Sequence, residues 1–201
     1  TIYFFIGFTI SIAIRLIYLL VYGFVKDFEI TQEYSYNKNL SVLLSIIIPV
    51  YNEKENLLKR LSFLCEQANK FPLEIIVSNS PETTDESPEV CKTFSKVTYF
   101  TSDKKGRAAQ MNFGAKKANG DILLFLHADV ALPTNFYSEI ITAVNQGNKA
   151  GFFAYKFDKD SAFLNFNSKF TTKDGLFAGG GDQCQFFTKE TFHNLNGFNE
   201  Q

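Results

Sequence analysis

Residues 42–50, Val-Leu-Leu-Ser-Ile-Ile-Ile-Pro-Val, form an aliphatic, largely β-branched run that closes on a proline. A strand without polar alternation is buried on both faces, which requires a sheet covered by helices on each side. Residues 73–77 (Leu-Glu-Ile-Ile-Val), 97–100, 121–127, 151–157 and 185–188 read as further strands. Between them lie helical patterns. One follows Asn52, which caps it with Glu55 as capping-box partner, and its apolar face is Leu57, Leu58, Leu61, Leu64 and Cys65. Another covers 108–117 with Gly120 as its terminator, and a third runs from Pro133 to about Val144. Strand and helix in alternation predict an α/β fold of Rossmann-like type, a mostly parallel sheet with helices on both faces. In such sheets ligands sit at the carboxyl ends of the strands.

Outside that region the composition changes. Residues 2–25 carry a single charge, Arg15. As a helix rising ~1.5 Å per residue they would extend about 36 Å, enough to cross a bilayer with tilt. Phe, Ile and Leu occur all round that helix. The stretch lacks a basic start and a small-residue cleavage site, so it reads as a transmembrane helix (1–25) rather than a signal peptide. A buried core helix is the competing reading, favoured by an arginine near its centre. Residues 26–42 are polar and aromatic without periodicity and read as a linker, leaving 43–201 as the globular domain. The chain starts at Thr1, so the expectation is a piece of a longer protein. A net charge of −1 gives no reason to propose nucleic acid as a partner. Cys65, Cys91 and Cys184, odd in number and widely spaced, fit neither a zinc motif nor a disulfide framework; they read as small buried hydrophobes in a reducing compartment.

The chemistry-bearing residues gather at the predicted strand ends. Pro49, Val50, Tyr51, Asn52 and Glu53 close the first strand. Tyr51 can stack on a flat ring, and Glu53 can accept hydrogen bonds. After the second strand comes Ser78-Asn79-Ser80-Pro81-Glu82-Thr83-Thr84-Asp85. Lys104, Lys105, Gly106 and Arg107 lead into Ala108-Ala109-Gln110-Met111-Asn112. A helix start bears free N–H groups that favour an anion, Gly106 permits close backbone approach, and Arg107 can fork onto phosphate oxygens. The strand ending in Leu126 delivers His127-Ala128-Asp129, a carboxylate suited to a divalent cation. Three glycines, 179–181, precede Asp182 and Gln183, and Gly197-Phe198-Asn199-Glu200 follows.

These motifs in this order, from about Ser45 to Gln201, resemble family 2 glycosyltransferases of the GT-A fold. Gly-Arg-Ala-Ala-Gln-Met-Asn, His-Ala-Asp and Gly-Asp-Gln are most similar to the arsenosugar-biosynthesis subgroup. The resemblance implies a nucleotide site formed by Pro49, Tyr51, Asn52, Glu53, Asn79, Gly106, Arg107, Gln110 and Asn112, with Asp85 as a second loop aspartate. Asn79 stands where the family usually has aspartate, which leaves the identity of the base open. His127 and Asp129 occupy the slot of the family's Asp-x-Asp metal motif and imply Mg2+ or Mn2+, with Asp129 the direct ligand. Asp182 and Gln183 would contact sugar or acceptor hydroxyls. No residue up to Gln201 matches the family's catalytic base, which normally follows the Gly-Phe-x-Glu segment. The expectation is a membrane-anchored, inverting transferase facing the cytoplasm, taking a nucleoside-diphosphate sugar and an acceptor that is a glycan, a lipid or a small molecule. Its rivals are a nucleotide-sugar-binding remnant without turnover, a polyprenyl-phosphate glycosyltransferase, and a membrane scaffold that only docks partners.

Overall fold

The computed structural model describes residues 42–153 and 184–200. The expected membrane helix (1–25), the linker up to residue 41, the part of the expected 151–157 strand beyond 153, the glycines at 179–181, and Asp182 and Gln183 lie outside the described residues. Among the described residues no helix is long and apolar enough to cross a membrane.

Among the described residues six strands form one sheet in the order β3-β2-β1-β4-β6-β5. They are β1 (Leu44–Val50), β2 (Leu73–Asn79), β3 (Val97–Thr101), β4 (Ile122–Phe125), β5 (Ala150–Phe152) and β6 (Gln185–Thr188). β1 pairs in parallel with β2 and β4, and β2 with β3. β6 runs antiparallel to both β4 and β5, so the sheet is mixed on that side. The helices are α1 (Lys54–Gln67), α2 (Ser87–Lys92), α3 (Arg107–Lys117), α4 (Phe136–Asn145) and α5 (Lys189–Asn194).

The all-apolar β1 is buried along its whole length, as its composition requires. Leu44, Ile46, Ile48 and Val50 pack on one face with Leu57, Leu61 and Leu64 of α1, Cys91 of α2 and Phe136, Tyr137, Ile140 and Ile141 of α4. Ile47 points the other way with Ile76, Leu123 and Phe125, under Met111 and Ala115 of α3 and Phe192 of α5. Helices therefore cover both faces, as the strand composition predicts.

Several local expectations are corrected. Leu58 is half exposed, so the apolar face of α1 is narrower than the leucine spacing suggests. Asn52 does not cap α1. It takes a left-handed φ of 54°, tolerated by its short polar side chain, and its Oδ1 accepts from the Thr84 and Asp85 backbones. α1 is capped from outside by Asp85, whose Oδ2 accepts from Lys54 N at 2.9 Å. α4 starts at Phe136 rather than Pro133, which contributes only its carbonyl to Phe136 N. α2 and α5, six residues each, were not legible as helices in the sequence.

Gly120 is not a left-handed helix terminator. A Cβ there would lie 2.6 Å from both the Leu43 carbonyl oxygen and Ser45 Oγ, so close backbone approach requires the glycine. Its N–H donates to Ser45 Oγ, which in turn donates to Glu74. Glu74 also accepts from the backbone and side chain of Asn119. Partial burial opposes its charge, but these hydrogen bonds outweigh it and hold its pKa below the ordinary 4.5. Glu74→Ala should cost about 2 kcal/mol at neutral pH, measured by urea unfolding. Because the folded pKa is depressed, the wild-type advantage is complete above pH 4.5 and fades as the pH drops through the folded value. An advantage that grows on acidification would show the carboxylate is not the anchor.

Candidate nucleotide and phosphate site

Strand order reverses between β1 and β4: the chain moves outward through β2 and β3, then crosses back to the other side of β1. A crevice opens at the carboxyl ends of two strands where connections leave in opposite directions. A cavity of about 530 Å3 occupies that place, lined by Pro49 and Val50 at the end of β1, Tyr51 and Glu53 after it, Ser80 and Glu82 after β2, Lys105, Gly106, Arg107 and Gln110 at the start of α3, and His127, Ala128 and Asp129 after β4.

The β1 wall is shaped by the corner at Asn52. Pro49 lies beyond the last rung with β4, Ile47–Phe125, near the strand's end. Tyr51 is exposed at the cavity wall. Glu53 Oε2 accepts from Asn56 Nδ2 at 2.8 Å, which fixes its carboxylate on the first turn of α1.

The α3 wall is built for an anion. Gly106 has φ +104°, and no atom stands within 4 Å of where its Cβ would be, so backbone conformation selects the glycine. No side chain caps α3, and its first intrahelical bond is Gln110 N to Gly106 O. The N–H groups ahead of it therefore begin a helix whose positive end opens on the cavity with Arg107. Lys105 is ion-paired with Glu82 at 3.3 Å on the rim; both are largely exposed, and the pair adds little stability.

Opposite stand His127 and exposed Asp129. Cys184 lies behind them: burial pushes its thiol up to about 11, with a hydrogen bond from the His127 backbone acting in the opposite direction. Arg60 of α1 lies in the field of Cys184 and Asp129; burial lowers its pKa, and its Nε is buried without a hydrogen-bond partner. Among the described residues no group of three or more His, Cys, Asp or Glu could hold a metal by itself. One carboxylate and one imidazole fit a different case, an ion that keeps waters and takes further ligands from a bound phosphate.

Pro49, Tyr51, Glu53, Gly106, Arg107, Gln110, His127 and Asp129 are thus brought together around one cavity. Asn52, Asn79, Asp85 and Asn112 are not. Asn79 is buried, donating to the Ser80 carbonyl and accepting from Thr83 Oγ1, so its amide shapes the loop. Asp85 caps α1 and accepts from Ser87 N. Asn112 faces the 197–200 segment. Gln110 lines the cavity, but its amide donates to the Val50 and Ser78 carbonyls. Ser80, Glu82 and Arg60 were not singled out in the sequence; Ser80 and Glu82 carried only the signal of following a buried strand.

The chain is similar to known proteins in sequence and in fold. Over 108 residues the chain is 29% identical to the dolichol-phosphate mannosyltransferase of Pyrococcus furiosus, covering 52% of this chain and 31% of that protein. Over 138 residues it is 27% identical to the glycosyltransferase GlyA of Streptococcus pneumoniae, covering 67% of this chain and 18% of the relative. The fold matches a mannosyltransferase of Pyrobaculum calidifontis solved with GDP-Man and Mn2+, at a TM-score of 0.61 and 21% identity over 78% of this chain and 47% of that one. A glucosyl-3-phosphoglycerate synthase of Mycobacterium tuberculosis solved with Mn2+, UDP and glucosyl-3-phosphoglycerate matches at 0.54 and 13% identity, over 75% and 58% of the two chains. The chain spans a third or less of these curated relatives and about half of these structures. The description Glycosyl transferase family 2 matches residues 45–197, and with its GT-A-like sheet this chain belongs to that family.

Proposed function

We propose that this domain binds a nucleoside-diphosphate sugar and supports transfer of the sugar, with inversion, to an acceptor hydroxyl. The observation that carries the reading is the uncapped start of α3 with Arg107, lining one cavity with Asp129 at the sheet's switch point. That arrangement suits a diphosphate, with anionic oxygens on the helix N–H groups and guanidinium. Tyr51 stacks on the base, and the Glu53 carboxylate accepts from base or ribose. Asp129, with His127 beside it, would hold Mg2+ or Mn2+, which neutralises charge on the leaving diphosphate. The helix start and Arg107 orient the diphosphate so that the bond to the anomeric carbon faces an incoming hydroxyl. Attack on the opposite face forms the new C–O bond as the old one breaks, and the hydroxyl proton passes to a base.

The reading extends to a membrane anchor at 1–25 and a cytoplasmic domain, supported by that stretch's composition and by the cytosolic supply of nucleotide sugars. The alternative acceptor is a polyprenyl phosphate, supported by the relatives named for dolichol-phosphate and undecaprenyl-phosphate transfer; there an anionic phosphate oxygen, not a hydroxyl, would attack the anomeric carbon and no proton would have to be removed. The arsenosugar subgroup shares motifs with this chain, but no residue selects its product.

Titration of the chain with GDP and UDP, with and without Mn2+, tests the binding step. Binding of one of them that strengthens at least about ten-fold with Mn2+ is expected, as for a cation shared between protein and phosphate. No affinity for any nucleoside diphosphate under either condition would refute the reading.

A further inference from the structure

Asn112 stands on α3, two residues past Gln110, yet its amide serves a segment 86 residues away. Its Oδ1 accepts from Phe198 N at 2.9 Å, and its Nδ2 donates to the Phe198 carbonyl at 2.9 Å and to Glu200 Oε1 at 3.0 Å. The other oxygen of Glu200 takes Lys104 Nζ at 3.0 Å. Gly197 adapts to this contact: it has φ +74°, and a Cβ there would lie 2.6 Å from Asn112 Oδ1. Hydrogen bonds from Asn112 first, then Lys104, hold the Glu200 carboxyl below the ordinary carboxylate range. One carboxylate therefore joins the body of α3, the turn preceding it and the 197–200 segment.

Both ends of this clasp border a cavity. Lys104 lies in the turn that delivers Gly106 and Arg107 to the first cavity. Phe198 and Asn199 line a second, of about 290 Å3, together with Met111, Phe125, Gln185, Arg107 and His127. Arg107 and His127 belong to both. The Phe198 ring is set edge-on against Phe125, with centroids 4.8 Å apart.

We propose that Asn112 and Glu200 are positioning residues which, through this clasp, hold the diphosphate turn and the aromatic wall of the adjacent cavity in register. The proposal rests on the nucleotide-binding reading above, and Lys104 acts through Glu200 rather than by gripping phosphate itself.

The experiment is a double-mutant cycle on Glu200→Ala and Lys104→Met, read by the affinity for whichever of GDP or UDP the wild type binds with Mn2+. Amide hydrogen exchange at residues 102–107 and 198–199 is followed in parallel without nucleotide. Glu200→Ala should weaken binding roughly three- to ten-fold, the net scale of one hydrogen bond, and speed exchange in both segments. Glu200→Gln, which keeps an acceptor for Asn112, should lose less. The double variant should be no weaker than Glu200→Ala alone. Additive losses would mean that Lys104 contacts the phosphate directly and would overturn the proposal, as would unchanged affinity in Glu200→Ala. Lys70→Ala, which breaks the exposed pair with Glu66 on the far helix, should change neither readout. If the wild type binds no nucleoside diphosphate, the functional reading falls on its own. The clasp is then judged by exchange: unchanged rates at 102–107 in Glu200→Ala overturn it.

Discussion

Asp129→Asn is expected to abolish the Mn2+ enhancement of nucleoside-diphosphate affinity, a loss of at least about ten-fold, and to lower any transfer rate by about 100-fold, the scale of removing one electrostatic stabiliser from a charged site. The substitution keeps the side-chain volume and removes one charge. Asp129 is exposed on the loop after β4, and the fold does not lean on it, so stability should stay within about 0.5 kcal/mol of wild type. The loss should shrink when Mn2+ is omitted, because affinity through the start of α3 and Arg107 does not involve this carboxylate. His127→Ala should be milder, since an imidazole beside a carboxylate is the weaker partner for a hard cation. Equal affinities for wild type and Asp129→Asn with saturating Mn2+ would remove Asp129 from the site. Arg60 lies in the field of Asp129. Arg60→Met therefore offers a check on sign: taking away a neighbouring positive charge should tighten the cation rather than loosen it.

The fold was legible where one property dominated. The aliphatic run of β1 could be placed only between two helical layers, and both layers are present. The strand-end position of the motifs then placed the cavity before any side-chain direction was known. Less legible was which partner a polar side chain takes within the fold. Asn52, Asn79, Asp85 and Asn112 have the chemistry of ligand contacts, and each is instead satisfied within the fold. Local spacing cannot separate these outcomes, because Asn52 bonds across 32 residues and Asn112 across 86. Backbone constraint was legible at Gly106, which opens a helix, but not at Gly120, whose reason is the Leu43 carbonyl on a neighbouring strand segment. The antiparallel β6 was hidden for a related cause: four residues of Gln-Phe-Phe-Thr carry no sign of direction.

Gln110→Leu should cost about 1–3 kcal/mol of folding stability, the loss of two buried hydrogen bonds. Gln110 is 4% exposed, and its Nε2 lies 2.6 Å from the Val50 carbonyl and 2.9 Å from that of Ser78. Those carbonyls are at the ends of β1 and β2, where the strands stop sharing ladder bonds and diverge into the cavity loops. Val50 O keeps the Ser80 N–H when the amide is lost, and Ser78 O still faces β1 in the parallel ladder, so each carbonyl loses its second donor rather than its only one. Gln110→Glu should be worse at neutral pH, because a carboxylate brings no donor and sets negative charge against two carbonyl oxygens. Since Gln110 also lines the cavity, loosening these strand ends should weaken nucleotide binding together with stability. Asp129→Asn is expected to do the reverse, separating affinity from stability. Urea unfolding of both variants beside the nucleotide titration distinguishes the two roles. A Gln110→Leu protein with wild-type stability and weakened binding would make the amide a direct ligand contact and end its reading as the tie between β1 and β2.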